Sequence, residues 1–141
     1  TPLYSSAASD VYKRQEMPST NMHASARGVA SLYTALAHGG TFENVPILPS
    51  DILREAVTEV SKGDDKVLGR TSRFAHGFQI PLPERGFGPN PEAFGHYGAG
   101  GSVGFCDPVA QVGFGYVMNQ MGPRWQNPRN KALMEALYQC V

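Results

Sequence analysis

The sequence predicts an α+β fold, in which two helices lead into an antiparallel sheet and a C-terminal helix packs on that sheet. Three observations predict it. Apolar residues recur at helical spacing as far as Val57, and after Gly69 they give way to short, glycine-bounded alternating runs. Asp107-Pro108 separates two of those runs as a hairpin turn would. Asn127-Pro128 then opens a final helix with an apolar stripe that needs a sheet to cover it.

The elements follow in order. Val29, Leu32, Tyr33, Leu36 and Ala37 share one helical face, and Gly39-Gly40 supplies a left-handed stop. Pro49-Ser50-Asp51 begins a second helix, with Ser50 as the expected cap and Ile52, Leu53, Ala56 and Val57 apolar. Lys62 to Lys66 reads as a solvated turn. Strands are expected over Phe74–Ile80, Phe94–Gly98, Ser102–Cys106 and Gln111–Met118, with a Pro/Gly loop from Pro81 to Pro91. The last helix is capped by Asn127, and its expected stripe is Leu133, Leu137 and Cys140 with Ala136 beside it.

Composition removes several function classes. The chain has 141 residues, enough for one domain at most, and 41% are apolar. Twelve basic and twelve acidic residues cancel without clustering, so neither nucleic acid nor an anionic membrane surface is an expected partner. Cys106 and Cys140 have no metal-ligand spacing and read as buried free thiols, and no cofactor or metal is expected. No apolar run approaches the ~20 residues of a membrane span, and no signal-peptide pattern opens the chain. A soluble protein follows, with the cytoplasm as its expected compartment. Its oligomeric state is not legible.

Residues 1–15 carry no apolar periodicity. Ser5 to Gln15 resembles a translated sequencing-adapter segment, so 1–15 is expected to be foreign and 16–141 native.

The run from Phe94 to Phe105 carries the chemistry. Five glycines and one histidine lie inside it, so either another backbone or a ligand must approach closely, or the chain must turn through positive φ. Gly100-Gly101-Ser102-Val103-Gly104 also spells a G-x-S-x-G nucleophile elbow. An elbow serine sits between strand and helix and precedes its acid and its histidine. Here His23, His38, His76 and His96 all come before Ser102, and a strand follows it. The elbow fails.

Four phrases in order carry a resemblance: Ser25-Ala26-Arg27 through His38-Gly39-Gly40, Asp65 to Gly69, Ala75-His76-Gly77-Phe78, and Phe94 to Pro108 followed by Gly115 to Asn119. From about Ser19 to its end the chain resembles the C-terminal part of the serine hydrolases related to class C β-lactamases, which include many esterases. The resemblance implies a part of the β-lactamase/penicillin-binding-protein-like fold, with the early helices belonging to its helical lobe. It also implies an acyl-enzyme mechanism on a small ester or lactam, with an S-x-x-K serine attacking and its lysine and a Y-x-N tyrosine moving protons. The third motif, K-T-G in the lactamases and often H-x-G in the esterases, is His96-Tyr97-Gly98 here. With Ala99 these form the candidate site: Ala99 would donate its N–H to the oxyanion, and His96 would orient substrate or a proton.

The departures are equally specific. Neither S-x-x-K nor a usable Y-x-N occurs in the native portion, so the chain is expected to hold one wall of a site without nucleophile or base. Histidine in place of the motif lysine removes a permanent positive charge, which favours esters over carboxylate-bearing lactams. The alternatives are a non-catalytic module on a penicillin-recognising fold, lactamase or peptidase activity in a longer protein, and a small α+β domain in which His96 is structural.

Overall fold

The computed structural model describes residues 22–141, and the reading of residues 1–15 lies outside them. Helix α1 spans Ala26–Ala37, with the Ser25 hydroxyl accepting from Gly28 N–H at 3.1 Å as an N-cap. Gly39 and Gly40, at φ 71° and 90°, end it as expected. A short hairpin not anticipated from the sequence follows, β1 (Thr41–Phe42) with β2 (Val45–Pro46). Glu43 and Asn44 both take positive φ at its turn. Helix α2 covers Ser50–Ala56, but its N-cap is Pro49 and no side chain caps it, which corrects the role given to Ser50.

The region from 61 to 80 departs most from expectation. Ser61–Asp65 is strand β3, paired antiparallel with β4 (Arg70–Phe74), where a solvated turn was expected. The ribbon is wet along β3, so polar residues there say nothing against a strand. Its turn is closed by the Asp65 carboxylate, which accepts from Val67 and Leu68 N–H, both at 2.9 Å. The expected strand Phe74–Ile80 breaks at Ala75, because Gly77 turns at φ 88° and Ala75 N–H bonds back to Phe78. The chain rejoins the sheet at Gln79, which bridges Phe74 on one side and Gly95 on the other, and Ile80 N–H donates to Arg73 O.

The centre of the molecule is a three-stranded antiparallel sheet: β5 (Phe94–Tyr97), β6 (Val103–Asp107) and β7 (Val112–Tyr116). Register puts His96 opposite Gly104 and Gly104 opposite Gly115 on one face, and Phe105 opposite Phe114 on the other. Helix α1 lies on the first face, where Val29, Tyr33, Leu36 and Ala37 pack with Phe94, Cys106 and Leu53. Helix α3 (Pro128–Leu137) packs on the second through Met134, against Tyr97, Val103, Phe105 and Phe87. Asn127 caps α3 with Pro128 at its first position, as the sequence implies. The stripe is corrected: Leu133 and Cys140 are exposed, and Asn130 and Met134 face inward. Leu32 of α1 is exposed too. Of the two thiols only Cys106 is buried.

Candidate active site

The glycines of β7 are explained by a helix backbone, and Gly104 of β6 by side chains of the same helix. A Cβ on Gly115 would lie 2.5 Å from the Ala26 carbonyl oxygen and 2.7 Å from Ala30 N. One on Gly113 would overlap the backbone of Thr34, and one on Gly104 would meet the Tyr33 ring and Val29 Cγ1. These glycines let α1 settle directly onto the strands.

Beyond the N-terminal end of α1 the same face is open. A groove of about 210 Å³ runs there, floored by Gly98, Ser102 and Gly104, with His96, Val29, Tyr33 and Tyr116 among its walls. His96 reaches it from β5 as an exposed side chain, its ring centroid 6.3 Å from that of Phe74. Partial burial of the ring pulls its pKa below the ordinary histidine value, the Tyr97 backbone opposes this, and the Arg70 charge adds to the lowering. The ring is therefore neutral at pH 7 and can give or take one hydrogen bond without carrying charge.

Tyr97 points the other way. Its ring stacks on Phe87 at 4.8 Å, and its hydroxyl donates to Gly86 O at 2.7 Å while accepting from Gln126 Nε2 at 3.0 Å. Strand alternation thus places His96 and Gly98 at the groove and Tyr97 in the opposite core. Gly98 has no room for a side chain, because the Ser102 hydroxyl occupies the Cβ position. Ala99 follows at the exposed start of a 3₁₀ turn, Ala99–Gly101, and its N–H meets no acceptor among the described residues. Such an amide at a strand end can point at a developing oxyanion.

Ser102 has φ −61° and ψ 149°, ordinary extended backbone leading into β6. That is not an elbow, and the structure agrees with the rejection made on chain order.

The turn that carries Ala99 is held by two amides of which sequence reading saw only a helix cap. Asn127 Nδ2 donates to Gly100 O at 3.2 Å, and Asn130 Nδ2 donates to Gly101 O at 3.0 Å. Gly122 N–H also donates to Gly100 O, at 2.7 Å. Gly100 and Gly101 turn at φ 81° and 108°, where L side chains are strained. The signal for Asn130 was a second amide one turn into a capped helix, on the buried face.

Among the described residues no group of three or more His, Cys, Asp or Glu could hold a metal ion, and no helix is long and apolar enough to cross a membrane. The Beta-lactamase family model matches residues 2–139. The curated relative "Esterase/beta-lactamase LipL" of Mycobacterium tuberculosis is 34% identical over 107 residues, covering 75% of this chain and 24% of the relative. Among solved structures, a family VIII carboxylesterase superposes with TM-score 0.88 at 39% identity, over 96% of this chain and 37% of its own. A penicillin-binding protein homolog from Caulobacter crescentus gives 0.86 at 40% identity, over 92% and 35%. The chain therefore spans about a quarter to two fifths of the length of these relatives. With the family model matched along almost its whole length and an α+β architecture shared with those structures, the chain belongs to the beta-lactamase family, among the β-lactamase-related serine hydrolases.

Proposed function

We propose that this chain supplies the H-x-G wall of the active site of a serine hydrolase that acts on carboxylic esters through an acyl-enzyme. The observation that carries this reading is the placement of His96 and Gly98 on one open groove, with the Ala99 amide, next in sequence to Gly98, meeting no acceptor among the described residues. The nucleophile, its lysine and the proton-relaying tyrosine belong to sequence of the parent protein outside these 141 residues. In that enzyme the serine oxygen attacks the ester carbonyl, and Ala99 N–H steadies the oxyanion that forms. His96, neutral at pH 7, hydrogen-bonds the substrate or the group that protonates the leaving alcohol. Tyr97 supports the strand from the other face and does not reach the substrate. Neutral His96 gives no standing charge for a lactam carboxylate, so ester turnover exceeds lactam turnover.

The test compares two alanine variants of the parent enzyme on a short-chain nitrophenyl ester. His96→Ala should lower kcat/KM roughly 10²-fold, the range for losing a positioned polarising or acid–base group. Ser102→Ala should change it little. A dead Ser102→Ala beside a near-normal His96→Ala would overturn the assignment. A second reading, recognition of penicillin-like ligands without turnover, is favoured by the likeness to a penicillin-binding protein homolog. A parent sequence without the S-x-x-K serine would select it.

A further inference from the structure

A second cleft lies on the far side of β5 from the groove, where the β3–β4 turn meets the segment before α3. It encloses about 530 Å³ and is lined by Arg70, Arg85, Arg124, Lys131, Trp125 and Tyr97, with no carboxylate in its lining. A volume of that size suits a small organic molecule.

Arg70 is the unusual member. Its guanidinium carbon sits over the Trp125 ring, 4.5 Å from the centroid, a cation–π arrangement. Its Nε is buried without a hydrogen-bond partner, the one such side-chain atom among the described residues. No ion pair reaches it among those residues. Asp65, the nearby carboxylate that favours its charge, already binds Val67 and Leu68 N–H through one oxygen and the Ser72 hydroxyl through the other. Burial, and after it the charge of Arg85, weakens the hold of Arg70 on its proton. Arg85 itself donates to Thr71 O at 3.2 Å and meets only the exposed Glu84, at 3.7 Å. A partly buried guanidinium with no ion pair of its own among the described residues, beside Arg85, Arg124 and Lys131, attracts an anion into the cleft.

We propose that this cleft binds a small organic carboxylate, its oxygens forked by the edge of Arg70 and its apolar body laid against Trp125. A planar guanidinium matches a carboxylate bidentately. Arg124 and Lys131 at the rim add attraction, and the indole supplies the apolar wall. The site is separate from the His96 groove and stands whether or not the ester reading holds.

Trp125 is the single tryptophan of the sequence, so its indole N–H gives one resonance that reports on the cleft. Benzoate should shift that resonance saturably in the millimolar range, and benzamide, its neutral analogue, should bind at least roughly tenfold more weakly, as should inorganic phosphate. Arg70→Gln should weaken benzoate by roughly tenfold or more with far-UV circular dichroism unchanged, and Lys131→Gln by roughly twofold. Should Arg70→Gln lose its fold, the benzoate–benzamide contrast in the unaltered chain and the effect of Lys131→Gln still decide. Equal binding of benzamide, absence of saturation, or a folded Arg70→Gln that binds benzoate normally would each overturn the site. Phosphate binding as tightly as benzoate would overturn the assignment to a carboxylate with an apolar body.

Discussion

The two faces of the central sheet solve the same packing problem by opposite means. Toward α3 the strands present Tyr97, Val103, Phe105 and Phe114, and the space is filled by rings. Phe105 is fully buried between Phe87, Phe114 and Tyr138, at centroid distances of 5.6, 5.2 and 6.4 Å. Toward α1 the strands present Gly104, Gly113 and Gly115, and the space is closed by bringing the helix backbone down. One face holds its helix at a distance set by aromatic side chains. On the other, the helix backbone meets Gly113 and Gly115 directly, while Val29 and Tyr33 pack over Gly104. The groove at His96 is what remains where the glycine floor runs on past the end of the helix. A shallow open site next to rigid backbone is a direct product of the glycine face, and the aromatic face could not have made one.

Removing volume should hurt one face, and adding it should hurt the other. Phe105→Ala empties the centre of the aromatic face and should cost about 4 kcal/mol, within the range for buried phenylalanine truncations. Chemical denaturation with an unchanged m-value measures it, and a loss under about 1 kcal/mol would mean the rings collapse into the void. Gly113→Ala adds a single methyl that overlaps the Thr34 backbone, so α1 must move. We expect about 3 kcal/mol, at the upper end of overpacking costs. Gly39→Ala makes a useful control: it has open space at its Cβ and differs by its positive φ alone. A Gly113→Ala variant no worse than that control would contradict the backbone-contact account.

How much of this was legible follows the same division. The aromatic face announces itself in sequence, since alternating rings and a capped helix after Asn127 imply a sheet covered by a helix. The glycine face is ambiguous, because glycine reports only that something comes close. From the sequence alone a ligand, another backbone and a turn through positive φ were all open near His96. The structure gives α1 the glycines of β6 and β7, and leaves Gly98 to the Ser102 hydroxyl. Strand β3 was missed because charge and glycine mask a strand that is exposed along almost all of its length. Asn130 was missed because an asparagine inside a helix looks solvated until its buried acceptor, Gly101 O, is known. The Arg70–Trp125 stack joins residues 55 positions apart, and only topology brings them together.

The smallest expected effect concerns the open end of the glycine face. Partial burial holds the His96 pKa in the native chain below the ordinary value of 6.5 that it takes when unfolded. Between those two values the unfolded chain binds more protons than the native one, so stability rises with pH across that window. The contribution is fully present above pH 6.5 and is lost as pH falls toward the native pKa. Replacing His96 with glutamine, which keeps a neutral hydrogen-bonding side chain, should flatten that part of the profile. The measurement is the difference in thermal midpoint between the two proteins from pH 7.5 down to 5, where they should diverge in favour of His96→Gln as the medium becomes acidic. A difference that grows the other way would mean that protonated His96 is stabilised in the fold, and that a nearby acceptor outweighs both burial and Arg70. In that case the groove would carry a positive charge after all, and the proposed preference for esters over carboxylate-bearing lactams would lose its physical basis.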